Sequence, residues 1–345
     1  MNMKANCKQI QLVKNGDAKS SFSLIDSFIE APNEMEVQIE VAHFGLNYAD
    51  VMARNGLYRD CPPLPAVLGY EVVGTVVAVG KDVSEEIIGK KVVAFTRFGG
   101  YSTKVNTRFD GCVVIDYFDE KKALALATQY VTAFYMCEYV TNVHEGEWVL
   151  IHAAAGGVGT ALIQLLVQKK CNIIAKIGDA SKREYLEKLG IKHIVDYSKS
   201  DYADEVIRIT KGKKIDISFN PVAGSTFKKD SKLLGAGGRL VLFGGSERSN
   251  GKFGIFSTLR FVWDMGIQLP IVLMMQSKSV LGVNMLKIAD NHPKVLSFCL
   301  NKVVERAKEG KIEPVVGAEF SANEISEAHA LLESGKSTGK IVVSW

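Results

Sequence analysis

Residues 148–160 read WVLIHAAAGGVGT. A short apolar run, a glycine-rich turn and a helical apolar pattern follow one another, which predicts a strand, a tight turn and a helix. Ala154, Gly156 and Gly159 have the spacing of the dinucleotide-binding fingerprint, with alanine in place of its first glycine. That alanine suits the turn if its φ stays negative. The stretch predicts a nucleotide whose phosphates face the helix N-terminus, the alternative being a glycine turn that binds no ligand.

The residues after this stretch continue to alternate between apolar runs and helix-length segments. Continuous apolar strands that alternate with helices indicate βαβ crossovers and a buried parallel sheet. We therefore predict a doubly wound α/β domain. The predicted strands are 148–153, 172–177, 193–197, 215–220, 239–243 and 279–283, and the predicted helices are 158–170, 181–189, 201–211 and 225–234.

The residues before this stretch are rich in short β-like runs. Residues 36–42 (EVQIEVA) alternate apolar and polar side chains, which predicts a strand with one buried face. A last strand at 340–343 is expected to return to this β-rich part, because chain ends often lie close together. The predicted domains are a β-rich substrate domain at 1–126, a dinucleotide-binding domain at 127–285 and a C-terminal segment at 286–345 that returns to the first domain.

Composition excludes several classes of protein. The chain has 345 residues, 47% of them hydrophobic and 23% charged, with a net charge of +4. This is typical of a globular protein and gives no basis for a nucleic-acid partner. The six cysteines are scattered, and the N-terminus lacks the apolar core of a signal peptide. We therefore expect reduced thiols and a cytoplasmic location.

Residues 253–275 are rich in large apolar side chains. Arg260, Asp264, Gln268 and Pro270 interrupt the run, whereas a membrane span needs about 20 nearly uncharged residues. The segment is interpreted as an amphipathic insertion, which forms a packed flap, a subunit interface, a substrate lid or a membrane-contacting surface.

The residues after the second predicted strand bear on the choice of nicotinamide cofactor. Asp179 lies 20 residues after Gly159, which is the spacing of the acid that binds the ribose of NAD. Lys182 or Arg183, with the hydroxyl of Tyr197, would instead suit the 2′-phosphate of NADP. All of these are also ordinary residues for a surface and a helix start. These residues alone leave the choice open.

Six blocks of sequence point to a known family. The blocks are 45–58 (GLNYADVMARNGLY), 65–74 (PAVLGYEVVG), 131–134 (VTAF), 153–159 (AAAGGVG), 196–197 (DY) and 339–342 (GKIV). Together they resemble the medium-chain dehydrogenase/reductase superfamily, from about residue 30 to the end, and most strongly its zinc-independent quinone oxidoreductases and vesicle amine transport protein-like branch. The resemblance implies a GroES-like first domain, a Rossmann second domain, NADPH as cofactor and a homodimer formed through edge strand 279–283.

The resemblance also assigns site residues. It places Asn47 and Asp50 beside the nicotinamide and the substrate as the catalytic candidates. From the residues alone, an N-cap with an acid three positions later explains this pair equally well. The resemblance gives the cofactor-binding candidates as Thr132 at the nicotinamide, Gly156, Gly157, Val158 and Gly159 at the pyrophosphate, Lys182 and Tyr197 at the 2′-phosphate, and Asn220, Phe243, Gly244, Gly245 and Val283 along the groove.

Zinc-dependent members of the superfamily hold their metal with a cysteine and a histidine where this chain has Asn47 and Tyr70. Neither replacement is an ordinary zinc ligand, so no metal is expected. A quinone or an α,β-unsaturated carbonyl accepts hydride readily without a Lewis acid. The sequence therefore predicts an NADPH-dependent reductase of such small molecules. The alternative is an NADPH-binding protein with weak activity that mainly contacts a partner or a membrane surface.

Overall fold

The chain divides into two units. The computed structural model describes residues 4–116, 118–250 and 254–345. One unit comprises Met1–Thr132 with Met285–Trp345, and the other comprises Ala133–Asn284. The predicted boundaries after residues 126 and 285 lie six residues and one residue from these divisions. Helical segments follow one another from 120 to 140, so no break in the sequence pattern marks the first division.

Strands and helices in the described residues have the following bounds. The strands are β1 (Ala5–Leu12), β2 (Phe22–Ile29), β3 (Glu36–Leu46), β4 (Ala66–Val67), β5 (Glu71–Val79), β6 (Lys91–Phe95), β7 (Lys104–Arg108), β8 (Cys112–Val114), β9 (Trp148–Ile151), β10 (Asn172–Ile177), β11 (His193–Asp196), β12 (Ile215–Asn220), β13 (Leu234–Leu242), β14 (Ser279–Gly282), β15 (Val316–Ser321) and β16 (Lys340–Ser344). The α-helices are α1 (Ala18–Ser21), α2 (Tyr48–Arg54), α3 (Glu120–Ala125), α4 (Val131–Phe134), α5 (Gly157–Gln168), α6 (Arg183–Lys188), α7 (Tyr202–Ile209), α8 (Ser225–Leu233), α9 (Gly254–Met265), α10 (Pro270–Gln276), α11 (Met285–Asn291), α12 (Pro293–Lys308) and α13 (Ile325–Glu333).

The unit that contains the N-terminus has two sheets. One has the strand order β2-β1-β4, and the other has the order β15-β16-β3-β5-β6-β8 with β7 also paired to β3. Val37, Ile39 and Val41 of β3 face the core, as the period-two pattern predicts. Strand β16 runs antiparallel to β3, with Ile341 opposite Leu46. The last strand of the chain is therefore paired with a strand near its beginning.

The other unit is built on a six-stranded parallel sheet with the order β11-β10-β9-β12-β13-β14. Helices α5, α6, α7 and α8 connect successive strands, and apolar residues such as Leu150, Ile174 and Phe227 fill its core. The parallel sheet confirms the predicted doubly wound domain, and the two sheets of the other unit agree with a β-rich first domain. All six strands end at the same edge, where doubly wound sheets bind their ligands.

Helices α9 and α10 occupy most of the segment predicted as an amphipathic insertion; Phe253 lies outside the described residues. No single described helix is long and apolar enough to cross a membrane, but Thr258–Met265 and Pro270–Gln276 together pass that test across a 41° bend. The ring of Phe261 faces inward, because a Cβ on Gly245 would lie 3.2 Å from it. Large exposed apolar side chains of the two helices and their connection are Leu259, Val262, Trp263, Ile267, Leu269, Ile271, Val272, Met274 and Met275.

Candidate functional site

The turn after β9 requires its glycines for steric reasons. A Cβ on Gly159 would lie 2.5 Å from the carbonyl oxygens of both Ala153 and Ala154, and one on Gly156 would lie 3.2 Å from the Ala153 oxygen. The left-handed backbone falls on Ala153, with φ 49°, so Ala154 keeps the ordinary backbone that the fingerprint position needs. The N–H of Ala154 donates to the carbonyl of Lys176 at 3.1 Å. This bond ties the turn to β10.

The N-terminus of α5 follows directly from this turn. Gly156 is the N-cap, and no side-chain hydrogen bond from the described residues caps the twelve-residue helix. The first N–H groups of a helix have no partner within it, and together with the helix dipole they favour an anion. Gly156, Gly157 and Val158 are partly exposed. The turn and the helix start therefore form a cradle that suits a diphosphate.

Tyr197 and Gly178 meet at the ends of the two neighbouring strands, β11 and β10. A Cβ on Gly178 would lie 2.5 Å from the hydroxyl oxygen of Tyr197, so only glycine lets the tyrosine cover the end of β10. Strand β11 ends at Asp196, one residue before its predicted end, and Tyr197 is exposed. The phenol is thus held at the ligand-binding edge of the sheet.

Asp179 caps the short 3₁₀ turn Ala180–Lys182, in which Lys182 is the last residue. Its Oδ1 accepts a hydrogen bond from the N–H of Ser181 at 2.9 Å. Burial lowers the pKa of Lys182, and the charge of Asp179 partly offsets this effect. Arg183 Nη2 donates to the carbonyl of Ile194 at 3.3 Å. Asp179 therefore has a local capping function in addition to the ribose-binding function that its spacing suggests.

Asn220 is the last residue of β12, and its side-chain amide forms four hydrogen bonds with other groups of the protein. Its Nδ2 donates to Thr226 Oγ1 at 2.8 Å and to Asp230 Oδ2 at 2.7 Å. Its Oδ1 accepts from the N–H groups of Val222 and Ala223 at 2.8 and 2.9 Å. These four bonds fill the capacity of an amide side chain. Asn220 therefore shapes the turn that follows β12.

The remaining groove candidates follow β13 and β14. A Cβ on Gly244 would lie 2.7 Å from the carbonyl oxygen of Pro221, so glycine lets the turns after β12 and β13 approach each other. A Cβ on Gly245 would likewise lie close to a neighbour, 3.2 Å from the ring of Phe261. The N–H of Val283 donates to the carbonyl of Leu242 at 2.8 Å. Phe243, Gly244, Gly245 and Val283 thus come to the same edge as the glycine cradle.

Asn47 belongs to a buried polar cluster in the other unit. Its Nδ2 donates to both carboxylate oxygens of Glu71, at 2.9 and 2.8 Å, and its Oδ1 accepts from Lys340 Nζ at 3.2 Å. Lys340 also pairs directly with Glu71, to which Thr128 Oγ1 donates as well. The Lys340 and Glu71 side chains have no exposed area. Asn47 therefore holds together the two members of a buried ion pair.

Asp50 completes the start of α2, three positions after Asn47. Its Oδ2 accepts from the N–H of Asn47 at 2.8 Å, and its Oδ1 accepts from the N–H of Gly69 at 3.3 Å. The two residues form a capping box, which is the alternative that the sequence offered. Burial raises the pKa of Asp50 to about 8, and the nearby charge of Glu71 adds to the rise. These contacts fix the start of α2 against the turn at Gly69.

Three aromatic residues pack together in the same unit. The ring centroids of Tyr58 and Tyr70 are 6.2 Å apart, and those of Tyr70 and Phe98 are 5.2 Å apart. Phe98 has φ 147°, a conformation that costs about 1–3 kcal/mol and that packing must maintain. Burial raises the pKa of Tyr58 to about 12 and also raises that of Tyr70. Both phenols therefore stay protonated at neutral pH and can donate hydrogen bonds.

The structure separates the candidates by unit. Thr132 is buried in α4, at the end of the unit that also contains Asn47 and Asp50, and all other cofactor-binding candidates lie in the parallel-sheet unit. Sequence reasoning missed Glu71, Lys340 and Tyr58, and it missed Lys176 and its partners. A charged residue inside an apolar run, as in NIIAKI at 172–177, is the signal that could have found Lys176.

Comparisons with known proteins agree with this geometry. The family model "Alcohol dehydrogenase GroES-like domain" matches residues 33–141, and "Zinc-binding dehydrogenase" matches residues 157–301. The human synaptic vesicle membrane protein VAT-1 homolog is 30% identical over 315 residues, which cover 91% of this chain and 80% of that protein.

Two solved structures are similar over nearly the whole chain. One is the Escherichia coli quinone oxidoreductase complexed with NADPH, which is 26% identical, with a TM-score of 0.85 over 98% of this chain and 100% of that one. The other is the CurK enoyl reductase, also 26% identical, with a TM-score of 0.84 over 98% and 99% of the two chains.

Zinc does not suit the donor set found at Asn47 and Tyr70. Within the residues described, no group of three His, Cys, Asp or Glu side chains is placed to hold a metal ion. The amide of Asn47 is bonded to Glu71, and the ammonium group of Lys340 already neutralises that carboxylate. A phenol with a raised pKa and an amide are poor ligands for zinc. A second cation beside Lys340 would also be repelled.

Proposed function

This chain belongs to the medium-chain dehydrogenase/reductase superfamily, a superfamily of oxidoreductases, and we propose that it is an NADPH-dependent reductase of quinones or α,β-unsaturated carbonyls. The GroES-like and dehydrogenase models and the VAT-1 and quinone oxidoreductase relatives confirm the family predicted from the sequence. The observation that carries the proposal is the glycine cradle. A Cβ at Gly159 would collide with two carbonyl oxygens, so glycine lets α5 start close against the turn, and the partly exposed Gly156 leaves the backbone open to a pyrophosphate.

NADPH is proposed as the cofactor. The N–H groups at Gly157 and Val158 would hold its diphosphate, and the Lys182 ammonium with the Tyr197 hydroxyl would hold its 2′-phosphate. When bound, NADPH supplies the hydride for reduction. The complex of the E. coli quinone oxidoreductase with NADPH supports this choice.

An electrophilic acceptor is proposed as the substrate. A protonated phenol donates a hydrogen bond to a carbonyl oxygen that gains negative charge during reduction. We assign this function to Tyr58, whose pKa is about 12, with Tyr70 packed beside it. Asn47 and Asp50 are proposed to act by positioning, because they fix the start of α2 and the Glu71–Lys340 pair. The quinone oxidoreductase and enoyl reductase neighbours support this substrate class.

A panel of quinones and enones, each with NADPH and with NADH, tests the proposal. We expect NADPH oxidation with at least one acceptor and weaker oxidation of NADH. Lys182→Ala should remove most of the preference for NADPH, since a charge-assisted hydrogen bond contributes about 1.5–3 kcal/mol. Lys188→Ala, an exposed lysine of the next helix, is the matched control. No cofactor oxidation above background across the panel would overturn the proposal.

Contact with a membrane surface is a second candidate function, favoured by the apolar side chains of α9 and α10. Trp263 is 80% exposed and Ile267 is 89% exposed. We expect the wild-type chain to co-sediment with phosphatidylcholine vesicles and the double variant Trp263→Ser with Ile267→Ser to stay in solution. Phe28→Ser, on β2, is the control because Phe28 is also exposed. Absence of wild-type binding removes this function and leaves the reductase proposal intact.

A homodimer is also proposed. Strand β14 is the last in the order of the parallel sheet, and edge strands commonly pair across a twofold axis. Light scattering of the purified chain tests this: a mass near twice 37.7 kDa supports the dimer, and the monomer mass contradicts it. The cytoplasmic location expected from the cysteines stays a prediction.

A further inference from the structure

A buried ammonium group lies at the Tyr197 end of the cofactor edge. Lys176 is part of β10, and only 4% of it is exposed. Its Nζ lies 4.5 Å from the centroid of the Tyr197 ring and 3.9 Å from that of the Tyr202 ring. It also donates to His152 Nδ1 at 3.1 Å. Aromatic faces attract a cation at these distances.

A chain of polar side chains stabilises this ammonium group. His152 Nε2 lies 2.9 Å from Asp230 Oδ2, and burial lowers the pKa of His152. A neutral His152 with its proton on Nε2 accepts from Lys176 and faces Asp230 with a donor. Asp230 accepts hydrogen bonds from Tyr202, Ser218 and Asn220. The carboxylate therefore balances the charge of Lys176 through His152.

The position of Lys176 is costly for the fold. Burying an ammonium group is unfavourable, and an apolar side chain of similar length would fill the same place in this otherwise apolar strand. Tyr197 is 54% exposed, so packing alone leaves much of its ring unconstrained. The contact with Lys176 and the space above Gly178 together define where the Tyr197 hydroxyl lies.

We propose that Lys176 is a positioning residue that sets the preference for NADPH over NADH, because it orients the Tyr197 hydroxyl and places a positive charge behind the 2′-phosphate site. This inference rests on the proposed function, in which Tyr197 and Lys182 hold that phosphate. NADH lacks the phosphate, so its binding should be insensitive to Lys176.

The charge of Lys176 also makes the preference depend on pH. Burial lowers the pKa of Lys176 to about 8. A phosphate monoester has its second pKa near 6, so it stays fully charged while Lys176 loses its proton. The preference for NADPH should therefore fall as the pH rises from 7 to 9. The titratable and charged groups that face Lys176 are His152, Tyr197, Asp201, Tyr202, Lys229, Asp230 and Glu247.

Dissociation constants of NADPH and NADH, measured by calorimetry for the wild-type protein and Lys176→Met, test the proposal. We expect the variant to bind NADPH about fivefold more weakly, in line with a partly desolvated cation–π contact, and to bind NADH unchanged. Lys229→Met is the matched control, because Lys229 also faces the Tyr202 ring but is exposed. The dissociation constants of NADPH and NADH for Lys229→Met should lie within twofold of the wild-type values.

The pH profile separates positioning from a merely structural function. Between pH 7 and 9 the ratio of the NADH to the NADPH dissociation constant should fall more in the wild-type protein than in Lys176→Met, which lacks the buried ammonium group. If the wild-type protein and Lys176→Met have equal ratios of the two dissociation constants and equal pH profiles, the inference is overturned and the reductase proposal stands. If the wild-type chain binds no NADPH at millimolar concentration, both fail.

Lys176→Arg provides the decisive measurement if Lys176→Met does not fold, because its charge persists at pH 9 while Lys182 is unchanged. A ratio of NADH to NADPH dissociation constants that falls less between pH 7 and 9 in Lys176→Arg than in the wild-type protein supports the inference. Equal declines in the two proteins contradict it.

Discussion

Asn47, Glu71 and Lys340 show how one buried ion pair shapes a site. The pair has no exposed area, so each charge depends on its partner and on the amide of Asn47 between them. Removing one member of such a pair leaves an uncompensated charge in the core. The start of α2, which begins beside this pair, depends on the same contacts.

Lys340→Met should therefore destabilise the protein strongly. We expect the free energy of unfolding to fall by about 3–5 kcal/mol, the usual cost of breaking a buried pair. Urea denaturation checks this. Lys122→Met breaks the exposed pair with Glu313 and should cost less than about 1 kcal/mol. Similar losses for the two variants would contradict the assignment.

Asp50 should make stability depend on pH. Its folded-state pKa of about 8 lies above the ordinary value of 3.8, so the folded protein retains a proton that the unfolded chain releases. The stabilisation from this group is therefore complete below about pH 4 and is lost as the pH rises to about 8.

Asp50→Asn should remove this dependence. Between about pH 5 and pH 8 we expect the wild-type protein to lose about 1 kcal/mol or more relative to the variant, measured by urea denaturation at both pH values. Asp26→Asn changes an exposed carboxylate on β2 and is the control. A constant difference between wild type and Asp50→Asn would show that the carboxyl is ionised at neutral pH.

The strand–turn–helix of β9 and α5 is the element on which cofactor binding depends. Gly159→Ala would place a methyl group 2.5 Å from two carbonyl oxygens, so the turn must shift. A steric conflict of this kind costs about 1–3 kcal/mol, and we expect a loss of NADPH affinity of about five- to 150-fold by calorimetry. Gly282→Ala is the control, since nothing lies within 4 Å of its added methyl group. Unchanged binding by Gly159→Ala would refute the cradle.

Elements whose signals are local in sequence were predictable. The glycine turn, the parallel strands and the capping box at Asn47 and Asp50 each depend on residues within a few positions of one another. The buried pairs were not, because Lys340 and Glu71 are 269 positions apart and Lys176 and His152 are 24 apart. Only the tertiary fold brings such charges together. The sequence therefore shows each charged residue but does not identify its partner.

At the scale of the whole molecule, each unit carries its own set of candidate residues. The parallel-sheet unit carries the cradle and the candidates for the 2′-phosphate, and the other unit carries Tyr58, Asn47 and Asp50. Separate family models match the two parts of the chain. The sequence indicated both folds, but the helical run from 120 to 140 hid the place where one unit ends.

Deuterium transfer from stereospecifically labelled [4-²H]NADPH to an enone tests the central claim most directly. The account predicts label at the β-carbon of the saturated product from only one of the two labelled forms, because an asymmetric site presents one face of the nicotinamide. Equal transfer from both forms, or a reduced product without deuterium from either, would contradict enzyme-bound hydride transfer.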